Sequence, residues 1–479
     1  MRSTNSEQKK SATKAGMDMT TGEPFKLILL YSLPIILGNI FQQLYNMCDT
    51  IIVGRLLGPD ALAAVGTTGP MNFLVLGFLY GISSGCAVIT AQRYGAKDIA
   101  GLKRSVAMNI ILNVAIGIVF TILSCALTMP ILHAIHTPQE IIHDSFSYIF
   151  VIFLGILSIV LYNACACILQ AVGDSKTPLY FLIMSSLLNI GLDIFFIIKF
   201  HWGVAGAAWA TVISQLLAGT GALVTIIVKY PVLHVSKADF EWNTQFAMKH
   251  LKVGLNMGFQ FSITAIGVII LQGALNKFGP IKIAAFTAGQ KVENLVTIAA
   301  TTFGVTMANY GGQNLGAGRI DRIKQGVTKA CILTVLFAFL SAIIASLFSK
   351  ELAGMFLSNA PEDAQKNEQI VALAGTYLRM VSVFFPILFV LFIYRNVLQS
   401  IGRGFWPLMG GVFELLARTV AAYTLPAIWG FKGICAAEPS AWCAATIPLA
   451  IAYYIIMSHF TLPKHDAQSD SLANTTLLI

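Results

Sequence analysis

Charge is what this chain has least of. Only 11% of its 479 residues are Asp, Glu, Lys or Arg, against roughly 25% in ordinary soluble domains. With 56% hydrophobic residues and a mean hydropathy of +0.74, a water-soluble body of this size is excluded, because too little polar surface exists to cover it. Cysteine is sparse and scattered, eight in all. The closest pair, Cys165 and Cys167, has C-x-C spacing, which is not a zinc-ligand pattern, and all eight read as small buried hydrophobes. Histidine is equally scarce, and none of the eight lies clearly within an apolar run. His133, His136 and His143 gather in one loop and read as solvated side chains rather than a metal site. The polar first 26 residues lack the apolar core and cleavage site of a secretory signal. The net charge of +9 calls for no nucleic-acid partner, since anionic lipid headgroups account for it.

What the chain has instead is length in its apolar runs. Stretches of about 20 residues, each enough to cross a bilayer as a helix, recur at 27–53, 61–90, 105–127, 143–170, 177–198, 204–228, 245–276, 282–309, 327–348, 369–399, 405–428 and 433–458. The fold class is therefore an all-α polytopic membrane protein of about twelve transmembrane helices. Pro34, Gly38, Gly77, Pro386 and Gly410 fall inside these runs and do not veto helix, because neighbouring helices satisfy the freed backbone groups. Lys and Arg concentrate in alternate loops, most densely at Arg93, Lys97, Lys103 and Arg104, which places both termini in the cytoplasm. The implied organisation is a flexible N-terminus at 1–26, an N-lobe at 27–228, a linker at 229–244, a C-lobe at 245–458 and a flexible tail at 459–479.

The two lobes repeat each other. LLGPDALAAVG (56–66) corresponds to NKFGPIKIAAFTAG (276–289), AQRYGAKD (91–98) to GQNLGAGR (312–319), ILQAVGDSKTPL (168–179) to VLQSIGRGFWPL (397–408), and WGVAGAA (202–208) to WGFKGICAA (429–437). Six spans per half keep both repeats in one orientation. Parallel repeats about an axis along the membrane normal are a plan of secondary transporters, with the binding cavity between the bundles.

Against this apolar background one aspartate stands out. Asp193 sits in LLNIGLDIFFII (187–198), where an ionised carboxylate costs at least ~2.5 kcal/mol on insertion scales. Asn189 lies four residues earlier on the same helix face, and Thr211 falls on the next span. A carboxylate, an amide and a hydroxyl in a dry bundle form a hard-oxygen site for Na⁺ or H⁺. Asp49, in the first span, supplies a second acid that couples to the first if the two approach. The alternative use of either acid is a structural hydrogen bond, to backbone or to Asn163. Glu414 and Arg418, four apart, suit a structural ion pair. Lys291 and Glu293 are divided between cavity lining and packing; Arg379 and Arg395 are candidates to face the cavity, with snorkelling at the outer interface the alternative for Arg379.

LPIILGNIFQQLYNMCDTIIVGRLLGPDALAAVG, QRYGA, LQAVGDSKTP, NIGLD and GQNLGAG resemble the multidrug and toxic compound extrusion (MATE) family, over about residues 25 to 458. The resemblance is to its DinF-like bacterial branch. It implies two six-helix lobes in a V around a central cavity, and secondary active antiport by alternating access in a bacterial plasma membrane. Cationic amphiphilic drugs would leave in exchange for H⁺ or Na⁺, with no other cofactor and no enzymatic activity. That branch's coupling site falls on Asp49, Asn163, Asn189, Asp193 and Thr211, with Na⁺ at Asp49, Asn189, Asp193 and Thr211 as one occupant. Its helix-bending proline falls on Pro34. Another branch uses acids in spans seven and ten. Here span seven offers only Gln260 and Gln272, and span ten Arg395, so a cation site in the C-lobe is not expected. Gln42, Met47, Phe153, Tyr162, Met257 and Gln260 offer soft or aromatic contacts for planar cations in the cavity. A monomer suffices for this plan, with drug and bilayer as its partners. Two rivals remain. A flippase or exporter of a lipid-linked or anionic cargo would need a cavity richer in arginine. GISSG (81–85) fits a serine-hydrolase motif, but it lies mid-helix without the strand and turn that such a nucleophile needs.

Overall fold

Glycine followed by proline punctuates both halves at the same place. Gly58 and Gly279 adopt φ of 93° and 82°, which a side chain would resist. Pro59 and Pro280 then open the next helix, where a missing amide costs nothing. The computed structural model describes residues 16–135, 137–355 and 364–460, and within them the chain is almost wholly helical.

The N-lobe comprises α1 (Pro24–Leu57), α2 (Pro59–Gly95), α3 (Ile99–Ala134), α4 (Gln139–Leu154), α5 (Ile156–Ala171), α6 (Lys176–Ile194) and α7 (Gly203–Lys229). The C-lobe comprises α8 (Thr244–Leu275), α9 (Pro280–Gly316), α10 (Ile320–Leu347), α11 (Ser349–Gly354), α12 (Ala364–Ser382), α13 (Phe385–Ser400), α14 (Phe405–Trp429), α15 (Phe431–Cys435) and α16 (Ala437–Ser458). Asp98 caps α3 by accepting from the Gly101 amide, and Asn243 caps α8 by accepting from the Phe246 amide.

Among the described residues nine helices are long and apolar enough to span a membrane, or up to eleven when two bent pairs count as one span each. Those pairs are α4–α5, bent by 48°, and the α12–α13 pair, bent by 50°. At the first bend Gly155 leaves room for Val212 of α7 to press against the backbone. The expected eighth span is present as α9, a helix of 37 residues, but it does not qualify on composition. It carries Lys282, Lys291 and Glu293 and is packed among α2, α12 and α13, so protein rather than lipid faces much of it.

The lobes meet along α2 and α8. Gly81 and Gly85 rest on the backbone of Gly258 and Gly254, where an added Cβ would lie 2.6 Å away. That contact is what GISSG serves: Ser83 donates back to the Leu79 carbonyl at 3.1 Å and also bonds Asn113. At the C-terminal ends of α2 and α9 the repeat motifs cross each other. Gly95 abuts the Gln313 carbonyl and Gly316 abuts the Gln92 carbonyl, each too close for any side chain. Gln92 Nε2 donates to the Ser400 carbonyl at 2.7 Å, and Gln313 Nε2 to the Ala171 carbonyl at 3.0 Å. Gln92 corresponds to Gln313, so each repeat grips the other by the same bond.

At the opposite ends of these helices Gly58, Gly66, Gly69 and Gly279 have nothing within 4 Å of a built Cβ among the described residues. The two bundles therefore close at one face and part toward the other, in a V.

Two expectations change here. Residues 16–26, assigned to a flexible terminus, are in part held: Met19 is fully buried and α1 begins at Pro24. Residues 1–15 and 461–479, and His136, lie outside the described residues. His250 lies within α8 and is fully buried, where no histidine was expected. It bonds Ser105 of α3 at 2.9 Å and the Phe246 carbonyl at 2.9 Å, so it is a cross-lobe packing group.

Candidate functional site

α1 and α6 run side by side, with Gly38 against Leu179 and Leu182 at one end. Eleven residues further along both helices, Asp49 meets Asp193. Asp193 is 0% exposed and Asp49 8%, and their carboxyl groups lie at hydrogen-bonding separation. The Oδ1 atoms of both acids are buried with no hydrogen-bond partner among the described residues. Two carboxylates in contact within a dry bundle repel strongly. A proton shared between them, or a small cation held by their oxygens, removes that repulsion.

Asn189 and Thr211 complete the cluster. α6 and α7 are antiparallel across the short loop, which sets the Asn189 amide against Thr211, with Asn189 Nδ2 and Thr211 Oγ1 3.3 Å apart. With the amide turned over, its nitrogen donates to Asp193 Oδ2 at 3.3 Å, and its oxygen accepts from the Thr211 amide at 3.2 Å and hydroxyl at 3.3 Å. When it accepts from Asn189 instead, the Thr211 hydroxyl donates to the Ala207 carbonyl at 3.2 Å. Directly after Asp193 the helix loosens into a π turn over Phe195–Lys199, a distortion that recurs at functional sites. Carboxylate, amide and hydroxyl oxygens fit Na⁺ as well as H⁺.

Two tyrosines belong to this cluster and were not read from the sequence. Tyr45 precedes Asp49 by one helical turn and lies beside both acids and Thr211. Its i, i+4 spacing from Asp49 was the available signal. Tyr148, from α4, is buried within range of both charges, and no sequence pattern links it to them.

Asn163 is not brought in. Gly155 meets Val212 and Gly219 meets Tyr162, so α5 and α7 advance in step. That register sets Asn163 near residue 220, about 13 Å along the axis from Thr211 at 1.5 Å per residue. Pro34 is buried inside α1, which continues as one helix around it; its ring removes the bond to the Leu30 carbonyl.

Of the cavity candidates, Gln42 and Met47 are exposed on α1. They flank a polar row that includes Asn39, Gln43 and Asn46, and Asn39 donates to Thr302 of α9 at 3.0 Å. The other four do not line an open surface. Phe153 is in the N-lobe core. Tyr162 is packed with Leu182 and Ala218 and donates to the Pro178 carbonyl at 3.1 Å. Met257 is sandwiched among Val88, Ile89 and Ala308 at the lobe junction. Gln260 is buried, accepting from Gln399 at 2.7 Å. Apolar residues that face lipid, core or cleft look alike in sequence, which is why these four misled.

The buried acids of the C-lobe have partners among the described residues. Arg395 pairs with Glu414 at 2.6 Å, and Arg418 with Glu414 at 3.3 Å and Glu438 at 2.8 Å, all buried. The expected Glu414–Arg418 pair is thus one link of a longer network, and Arg395 is a structural partner rather than a cavity charge. Glu293 accepts from the Tyr377 hydroxyl.

This chain is similar to known proteins along nearly its whole length. The "Probable multidrug resistance protein YpnP" of Bacillus subtilis is 29% identical over 422 residues, covering 87% of this chain and 92% of the relative. An "FAD transporter" of Shewanella oneidensis is 23% identical over 458 residues, covering 93% and 97%. Among solved structures, the outward-facing conformation of a multidrug resistance MATE family transporter of the MOP superfamily superposes with a TM-score of 0.86 at 23% identity, over 92% of this chain and 98% of that one. The MatE family profile matches residues 34–195 and 256–424, one stretch in each lobe. The chain belongs to the MatE family of membrane transporters.

Proposed function

We propose that this chain is a cation-coupled antiporter that exports cationic amphiphiles by alternating access, with Asp49 and Asp193 as the coupling pair. The observation that carries this reading is the contact between two buried acids, each with an orphaned oxygen, on helices α1 and α6. Helix α1 is well placed to transmit occupancy. Its outer half carries Asp49, its middle touches α9 through Asn39, and its first turns pack into the C-lobe core through Ile28 and Tyr31. Binding H⁺ or Na⁺ at the pair favours one packing of α1 against α6, and loss of the cation favours another. Drug and cation must prefer different packings, since equal affinity would shift nothing. Asn189 supports the ionised state, since its amide nitrogen, turned toward Asp193, donates to Oδ2 at 3.3 Å. In this scheme both termini lie in the cytoplasm and the closed face is the inner one.

Export of an anionic metabolite is the second reading, favoured by the likeness to a relative named as an FAD transporter. Against it, Arg395 and Arg418 are already neutralised by carboxylates. A binding assay on purified protein separates the two. A fluorescent cation should bind, displace H⁺ or Na⁺ into the medium, and compete poorly with FAD. Tight FAD binding without ion release would sink the cation reading.

A further inference from the structure

Residues 16–20 precede the first helix and cross the seam between the lobes on the closed face. Met17 donates its amide to the Gly173 carbonyl of the N-lobe at 3.0 Å. Two residues later Met19 engages the C-lobe. Its amide donates to Gln313 Oε1 at 3.0 Å, and its carbonyl accepts from Asn314 Nδ2 at 3.1 Å and Arg322 Nη2 at 3.3 Å. Arg322 is itself buried and steadied by Asn314 Oδ1, which accepts from its Nε at 3.1 Å. The Met19 side chain is fully buried in the C-lobe core cluster. Asp18 turns the segment by accepting from the Thr20 amide and hydroxyl.

We propose that Gly173, Gln313, Asn314 and Arg322 form a composite site for main-chain amide and carbonyl groups, and that residues 17–20 of this same chain occupy it as a latch between the lobes. Three features support the site. It holds backbone amides through Gly173 and Gln313 and a backbone carbonyl through Asn314 and Arg322. It exists only while the lobes are closed here, because one partner carbonyl is on α5's exit turn and the remaining partners are on α9 and α10. And the duplicated fold provides its own control. Gly173 and Gly402 are repeat-related, with similar φ of 91° and 80°. A Cβ on Gly173 would lie 2.2 Å from the Met17 carbonyl, whereas Gly402 has nothing within 4 Å among the described residues. The strap therefore fills one of two equivalent places. Gln313, which corresponds to Gln92, uses its nitrogen to hold Ala171 and its oxygen to hold Met19, so the same side chain serves lobe crossing and latch.

This inference rests on alternating access only for its consequence: the latch adds to the stability of the closed face and is released whenever that face opens. Hydrogen exchange of the purified full chain, without substrate or gradient, tests the latch itself. The amides of Met17 and Met19 should be protected in the wild-type protein. Asn314→Leu should speed their exchange by about tenfold, as should deletion of residues 2–20 for the amides of 310–317 and 169–174. Protection across Gly81–Gly85 should persist in both variants, showing that each still folds. If the wild-type strap exchanges like a free peptide, or both variants leave the closed face unchanged, the latch is wrong. Loss of ion-driven transport bears on the antiport reading and leaves these exchange results standing.

Discussion

At the scale of single residues, Asp49 and Asp193 tolerate each other only when something positive lies between them. Asp193→Asn removes the charge and keeps the shape. Efflux driven by a cation gradient should fall at least about tenfold while drug binding persists, measured in proteoliposomes and by dye fluorescence. Its melting temperature should not drop, because relieving repulsion between touching acids costs no packing. Tyr45→Phe deletes the hydroxyl beside the two acids. It should shift the pH or Na⁺ concentration for half-maximal transport and leave the maximal rate near wild type, as read from an ion titration. Asp193, Asn189 and Thr211 were legible because polar groups in an apolar run stand out and helical spacing joins two of them. Tyr148 was not, since only the fold brings α4 to α6. Asn163 entered by resemblance alone, and its axial distance from Thr211 separates it from the other four.

Among the helices, close approach is set by glycine at positions that the duplication marked. The matched motifs QRYGA and QNLGA were visible as repeats, but that they bind each other was not, because a repeat shows equivalence and not contact. Gly95→Val would drive a side chain into the Gln313 carbonyl, where a Cβ already lies 1.9 Å away. Such overpacking costs about 1–3 kcal/mol, and thermal unfolding in detergent should show the loss together with failure to close this face. Gly66→Ala is the control: the position is helical, nothing lies within 4 Å, and the change should be neutral or stabilising by up to about 1 kcal/mol. Span boundaries were legible to a few residues from hydropathy. The bends at Gly155 and before Phe385 were not, because α4 with α5, and α12 with α13, each read as a single apolar run.

For the whole molecule, the two lobes share a fold but divide their chemistry. The N-lobe keeps two acids together, whereas the C-lobe binds Glu414 and Glu438 to arginine and Glu293 to a tyrosine hydroxyl. Arg418→Met would leave Glu438 without its guanidinium and should destabilise the protein by about 3–5 kcal/mol. Replacing Glu438 by an apolar residue of similar size in the same variant should recover most of that, by thermal unfolding. The plan of two parallel six-span repeats was legible in the sequence, since duplication and hydropathy both survive without contacts. Which face is closed was not, because it depends on how the lobes meet. The decisive measurement loads vesicles containing this protein with a fluorescent organic cation and applies a proton or a sodium gradient in turn. One of the two gradients should drive efflux in the wild type, and neither should in Asp49→Asn or Asp193→Asn. Equal gradient-driven efflux after both acids are amidated would contradict the assignment of the coupling site.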